Sequence, residues 1–293
     1  MANVVSGLMP EDRELDDVDL AADEGETDES LETPPPTTRP KAKRDPPTKI
    51  RDLSAALRYA EPRPALTDSS GKGPYGARLS RALAQMVADG LRKDFKGILP
   101  AADGTGHESR ARTAKGFKQL DVNYSTIELG LGLGVSIKTI NYMDQTSKRF
   151  TKNYTRADNE LRAEAIDYHQ RQPYSVLVGI LFLPVEACDD ATTGKNEETG
   201  VSSFGAAVRH FRHRAGRVSA DGLIDQFEAF LVAVYGWKEQ DLGLLRFYDV
   251  ERSEVPRNRR PLANETWDFG GALDRIREVY DARNNPPFVW AQP

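Results

Sequence analysis

Two short stretches of the chain hold side chains that could do chemistry together. QLDVNYS, residues 119–125, alternates so that Leu120, Val122 and Tyr124 share one face while Asp121 and Asn123 share the other. GLGLGVSIKTIN, residues 130–141, ends in a β-branched run in which Val135, Ile137 and Thr139 oppose Ser136, Lys138 and Ile140. Adjacent strands would bring the Asp121 carboxylate and the Lys138 ammonium to one polar face. Such a pair suits hydrolysis of a phosphodiester. The carboxylate holds a divalent cation, the cation polarises the phosphate and acidifies water, and the lysine orients the attacking oxygen and offsets the developing charge. The plain alternative is a cross-strand ion pair on a solvated face.

The elements that must position these residues can be read from hydrophobic spacing. Residues 77–95 carry Leu79, Leu83, Met86, Val87 and Leu91 at helical intervals, after a loop read in TDSSGKGPYG. A loop with basic residues, 97–116, leads to the first strand. After a polar linker, TRADNELRAEAIDYHQ predicts a helix with the apolar stripe Ala157, Leu161, Ala165 and Tyr168. SVLVGILFLP is nearly continuous in apolar residues, as a central strand covered on both faces should be. Beyond the loop DDATTGKNEETG, helices are expected over 204–215 and 221–235, a strand at LLRFYDV and a last helix near ALDRIREVYDA. The sum is a mixed α/β domain over 49–293, preceded by a tail.

The glycines Gly130, Gly132 and Gly134 do not make a phosphate cradle. Their spacing is G-x-G-x-G, and the β-branched VSIKTIN that follows is poor material for the helix that G-x-G-x-x-G must open. They read better as a bent or closely approached hairpin.

The order helix, strand, strand, helix, buried strand, with Asp121 and Lys138 on the paired strands, resembles the PD-(D/E)xK nuclease superfamily over residues 77 to 184. The resemblance implies a restriction-endonuclease-like mixed central sheet flanked by helices, magnesium (or manganese) as cofactor, and DNA as partner. Asp121 matches the family's first aspartate, preceded by Leu120 in place of proline, and Lys138 matches its lysine. Where the family usually has an acid two residues before the lysine, this chain has Ser136. That pattern is similar to the S-x-K branch, in which the following helix supplies the carboxylate; Glu160 and Glu164 are the candidates, with Glu128 as a further one. At about 100° per residue, Glu164 falls roughly 60° from Leu161 and Glu160 roughly 100°. Glu164 is thus expected nearer the buried face and Glu160 nearer the rim, beside Arg156. The expected activity is a restriction or phage-defence endonuclease; the alternative is a nuclease-fold DNA-binding or assembly subunit without catalysis. DNA contacts are expected from Lys148, Arg149 and Lys152, from Arg209, Arg212 and Arg214, and from Arg257, Arg259 and Arg260. A second copy of the chain, or partner proteins of a defence system, are further partners this reading allows.

Charge supports a polyanionic partner. Residues 1–33 hold twelve acids against Arg13, a net of −11, so the chain's total of −5 leaves +6 for the remainder. Residues 1–48, acidic and then Pro-rich, cannot bury enough apolar surface to offset their ordering entropy and are expected to be disordered, either as a solubilising tail or as an acidic arm on the basic body. The single cysteine, Cys188, excludes an internal disulfide and a thiolate zinc site. His210 and His213 could share a metal only against the repulsion of Arg209, Arg212 and Arg214. No run approaches the roughly 18–20 apolar residues of a membrane span, and the N-terminus lacks the basic and apolar regions of a signal peptide, so a cytoplasmic location is expected.

Overall fold

The structure is a computed structural model that describes residues 46–284, apart from 49, 193–196, 198, 199, 253 and 256. The expected tail thus lies outside the described residues, except for residues 46–48. The chain runs α1 (Leu53–Ala60), α2 (Ser69–Leu91), β1 (Ser109–Thr113), β2 (Gly116–Leu120), β3 (Val122–Thr126), β4 (Gly130–Thr139), α3 (Tyr154–Arg171), β5 (Val176–Pro184), α4 (Ser203–Phe211), β6 (Ala229–Tyr235), β7 (Leu245–Asp249) and α5 (Phe269–Arg283). It is an α/β fold. A mixed sheet of order β3-β4-β5-β6-β7 lies between helices; β4, β5 and β6 are parallel and the edge strands β3 and β7 antiparallel to their neighbours.

The sheet is covered on both faces, which explains its apolar strands. Val176, Val178, Ile180 and Phe182 of β5 pack into one core with α1, α2 and α5. Leu177, Leu181 and Leu183 pack into the other, with α3 and α4. The stripe Ala157, Leu161, Ala165 and Tyr168 is buried in that second core, so α3 faces the sheet as its spacing requires.

Several sequence expectations are corrected. Helix α2 begins at Ser69, inside the segment read as a loop, because Asp68 caps it by accepting from the amides of Ser70 and Gly71 at 3.0 and 3.1 Å. Helix α1 was not anticipated; its N-cap is Asp52, which accepts from the Ala55 amide at 2.8 Å. Residues 109–113 form β1 instead of a loop and pair with β2 in a separate hairpin. Residues 229–235, expected within a helix, are strand β6, paired on both sides. A short apolar run buried on both faces has no period by which helix and strand can be told apart, and pairing decides. The helix expected over 204–215 ends at Phe211 and continues as a 3₁₀ turn, Arg212–Arg214. Among the described residues no helix is long and apolar enough to cross a membrane.

Candidate active site

The chain changes face at Asp121. Leu120 packs in the α3 core and Val122 in the opposite one, although a regular strand would point both the same way. Asp121 is the bend between β2 and β3 that makes this possible. The β3–β4 ladder ends at Val122–Val135, and Ile137, the next amide on that edge of β4, donates to Oδ2 of Asp121 at 2.6 Å. The Asp121 carboxylate is therefore anchored to the strand that bears Lys138.

On β4, Val135 and Ile137 point into the α2 core, which leaves Gly134, Ser136 and Lys138 on the face toward α3. Gly134 is needed there: a Cβ would lie 2.9 Å from Leu177 and 3.0 Å from Leu120. The turn into β4 uses Gly130 at φ +70°, and the register shifts between Tyr124 and Ser125. The glycine pattern thus marks a closely approached hairpin.

Across from that face stands Glu164. Its Oε2 accepts the Ser136 hydroxyl at 2.5 Å and its Oε1 accepts from Nζ of Lys138 at 3.0 Å. Glu160, one turn earlier, lies 3.3 Å from Nζ of Lys138 and accepts from Arg156 at 2.9 Å. The Glu164 side chain is 18% exposed and that of Glu160 43%. The helix facing inferred from sequence is the one observed. Glu128 is exposed in the turn between β3 and β4 and joins none of these contacts.

The electrostatics follow from crowding acids around one lysine. Burial raises the Asp121 carboxyl from 3.8 to about 6; the Ile137 amide opposes this, the Glu164 charge adds to it, and Lys138 opposes it in turn. Burial alone would lower the Lys138 ammonium, but Glu164, Asp121 and Glu160 outweigh burial and raise it, so the lysine stays charged. Glu160 is held below the usual carboxylate range: the cost of its burial is outweighed by Arg156 and Lys138.

Asp121 and Glu164 are two hard oxygen ligands of the number with which a magnesium ion is commonly held, the rest of its shell being water and substrate phosphate. In donor chemistry Asp121 and Glu164 match what such an ion takes, while both Glu164 oxygens are held by Ser136 and Lys138 and Glu160 lies at the rim. Among the described residues there is no group of three or more His, Cys, Asp or Glu side chains gathered for a metal.

The basic residues divide. Arg149 is buried and donates to Ser203 Oγ and the Val201 carbonyl, with Asp190 3.7 Å away. Arg214 is buried between Asp158, at 2.6 Å, and Asp225, at 2.7 Å. Arg212 donates to the carbonyls of Val250 and Arg252. These three brace the fold through contacts within it. Arg259 is bound to both oxygens of Glu265, Arg260 to both of Asp241, and Lys152 to Asp144 at 2.6 Å. Lys148, Arg209 and Arg257 are exposed and make no side-chain hydrogen bond or ion pair with the described residues.

Sequence reasoning passed over the hairpin that leads into Asp121. Arg110 lies opposite Gln119 and Arg112 opposite Phe117 on its exposed face, with the Arg112 guanidinium 5.6 Å from the Phe117 ring centre. Its other face holds buried Ala111 and Lys118, whose Nζ is 2.5 Å from Asp167 of α3. The alternation Arg-Ala-Arg-Thr was the available signal, weakened by inward residues too small to read as apolar. No protein-family model, curated protein or solved structure matches this chain.

Proposed function

We propose that the protein is a magnesium-dependent DNA endonuclease with a restriction-endonuclease-like fold, acting in restriction or phage defence. The observation that carries this reading is the convergence of Ser136 and Lys138, from one strand face, on Glu164, beside an Asp121 anchored to the same strand. Ser136 thus stands where the usual acid would be and binds the acid that α3 supplies. Asp121 and Glu164 would hold the magnesium ion, which when bound supplies Lewis acidity to the scissile phosphate and lowers the pKa of water. Lys138 is a charged donor at neutral pH; it orients the attacking oxygen and offsets the phosphorane charge. Glu164 fixes the Lys138 ammonium in place, and Ser136 fixes Glu164. The hairpin β1–β2, with Arg110 and Arg112 outward, has the two-stranded form that a DNA major groove admits.

The test is plasmid DNA incubated with the protein, with and without magnesium. Nicking or linearisation that needs the metal and disappears in Lys138→Ala, while DNA affinity stays within a few-fold, supports the reading. A second reading, a DNA-binding or assembly subunit without catalysis, is favoured by the full occupation of Glu164 by Ser136 and Lys138 and the lack of a third acid gathered with them among the described residues. Salt-sensitive DNA binding without cleavage would support that one.

A further inference from the structure

The loop after α3 and the loop before β6 meet at a buried ionic network. The Pro173 carbonyl accepts from Arg217 at 3.1 Å and from Arg283 at 2.9 Å, and Oε1 of Glu228 accepts from the same two arginines at 2.8 and 3.3 Å. His169, in the last turn of α3, lies 3.6 Å from the other Glu228 oxygen, and its Nδ1 is 3.1 Å from the Ile224 carbonyl oxygen. His169, Arg217 and Glu228 are all buried, so the network ties these two loops to the end of α5.

The side chains next to this network along the chain are apolar and face water. Tyr174 follows Pro173, Val218 follows Arg217, and Leu223 and Ile224 close the loop; they are 62, 84, 65 and 38% exposed. Four of the eight exposed large hydrophobic side chains among the described residues are thus held around one network, and the only charge in loop 218–224 is Asp221. Apolar residues scattered singly on a surface need no explanation, whereas a group of them marks a surface that something covers.

The described part of the chain stops at the same place. Helix α5 ends at Arg283, whose own side chain reaches the Pro173 carbonyl, and Asn284 caps the helix. Residues 286–293 read PPFVWAQP, a stretch without a charged side chain in which Phe288, Val289 and Trp290 are large and apolar. Four residues carry the chain from Asn284 to Phe288, a reach of at most about 14 Å. A short tether supplies an effective concentration on the order of 1 mM, so a contact of only millimolar intrinsic affinity is already occupied. Phe and Trp, which bury about 150–250 Å² each, are suited to make one.

We propose that the patch of Tyr174, Val218, Leu223 and Ile224 is the docking site of the chain's own segment 288–290, whose two aromatic side chains cover the loop. A second copy of the chain lacks the advantage of the tether, and the neutral segment meets no charge repulsion from a loop with a single acid.

Trp290 reports on this contact in the full-length chain, and no cleavage is read. Its emission and its quenching by acrylamide are taken by difference between each protein and the same protein carrying Trp290→Phe, which leaves Trp237 and Trp267 in place. Docked, Trp290 should emit to the blue of a hydrated indole and be quenched several-fold less, at every concentration of a wide dilution series. Val218→Asp and Leu223→Asp replace exposed side chains and should keep the parental urea midpoint. Each should return Trp290 to hydrated emission, as should Phe288→Asp from the other side of the contact. A hydrated Trp290 in the parent, or protection that survives all three variants, overturns the proposal. Protection that disappears on dilution together with a dimer also overturns it and gives the patch to a second copy.

Discussion

The hydroxyl of Ser136 donates to Oε2 of Glu164 at 2.5 Å across 28 residues of sequence. The same carboxylate holds Lys138 through its other oxygen, so it orients both ends of the Ser-Ile-Lys triplet. The carboxylate thus meets the polar face of β4 while its backbone sits on α3.

Glu164→Gln is expected to lower magnesium-dependent cleavage by at least about a hundredfold, the loss of roughly 2.7 kcal/mol of transition-state stabilisation. Glu160→Gln should do less, because its carboxylate is shared with Arg156 at the exposed rim. Single-turnover nicking of supercoiled DNA measures both. A dead Glu160→Gln beside an active Glu164→Gln would reverse the roles, and normal cleavage by both would move the search to Glu128.

Ser136→Ala should fall between these, because it frees one oxygen of Glu164 while leaving the Lys138 contact. Ser136→Thr keeps the hydroxyl and should recover cleavage. Loss of rate in Ala with recovery in Thr identifies the hydroxyl, and not the volume, as the positioning group; equal rates in all three would remove Ser136 from the site.

How much of this was legible depended on whether a residue's partner lay within one element. The facing of α3 followed from its own spacing, since Ala157, Leu161, Ala165 and Tyr168 are one stripe, and that sufficed to rank Glu164 above Glu160. The central strand β5 was legible because an apolar run of that length has few other homes. Strand β6 was not, since its apolar residues fill both cores and leave no period. The arginines were least legible. Nothing local distinguishes Arg209, which is exposed, from Arg214, whose acids lie 56 and 11 residues away in sequence. A charged residue's type states what it can bind, and only the fold states whether an acid already occupies it.

Asp121 has a signature in the metal-free protein. Its carboxyl is raised in the fold from 3.8 to about 6, so between those values the folded chain binds more protons than the unfolded one, and stability falls as pH rises through that window. Asp121→Asn removes this cost while still offering an oxygen to the Ile137 amide. The stability of Asp121→Asn relative to the parent should therefore climb between about pH 4 and about pH 7, by up to about 3 kcal/mol, read as a widening Tm difference. Magnesium should stabilise the parent and not the variant. A Tm difference flat across that range would mean that Asp121 titrates as an ordinary carboxylate.

The acidic segment, residues 1–33 with a net charge of −11, gives a test on the whole chain. If it competes with DNA for the basic body, its deletion should tighten non-specific binding, most clearly at low salt, where the Debye length is about 30 Å at 0.01 M. Equal affinity with and without it at low salt would leave it a solubilising arm.

The arginines sort into two kinds that one pair of measurements separates. Arg214→Ala leaves Asp158 without its buried partner and should cost about 3–5 kcal/mol in urea unfolding. Arg110→Ala and Arg112→Ala remove exposed charges from the hairpin that runs into Asp121, and each should leave unfolding within about 0.5 kcal/mol of the parent. Their effect should fall on DNA instead: if each neutralises one phosphate, each lowers the slope of log affinity against log salt by about 1. A hairpin arginine that reads a base edge would behave differently, discriminating between sequences with the salt slope less affected. The Phe117 ring, 60% exposed and under the Arg112 guanidinium, supplies the third variant. Phe117→Ala should weaken DNA binding with no change in salt slope, because stacking against a base or sugar releases no counterion. Unaltered DNA affinity in all three would take the hairpin out of the interface and leave Lys148, Arg209 and Arg257 as the exposed cations to examine next.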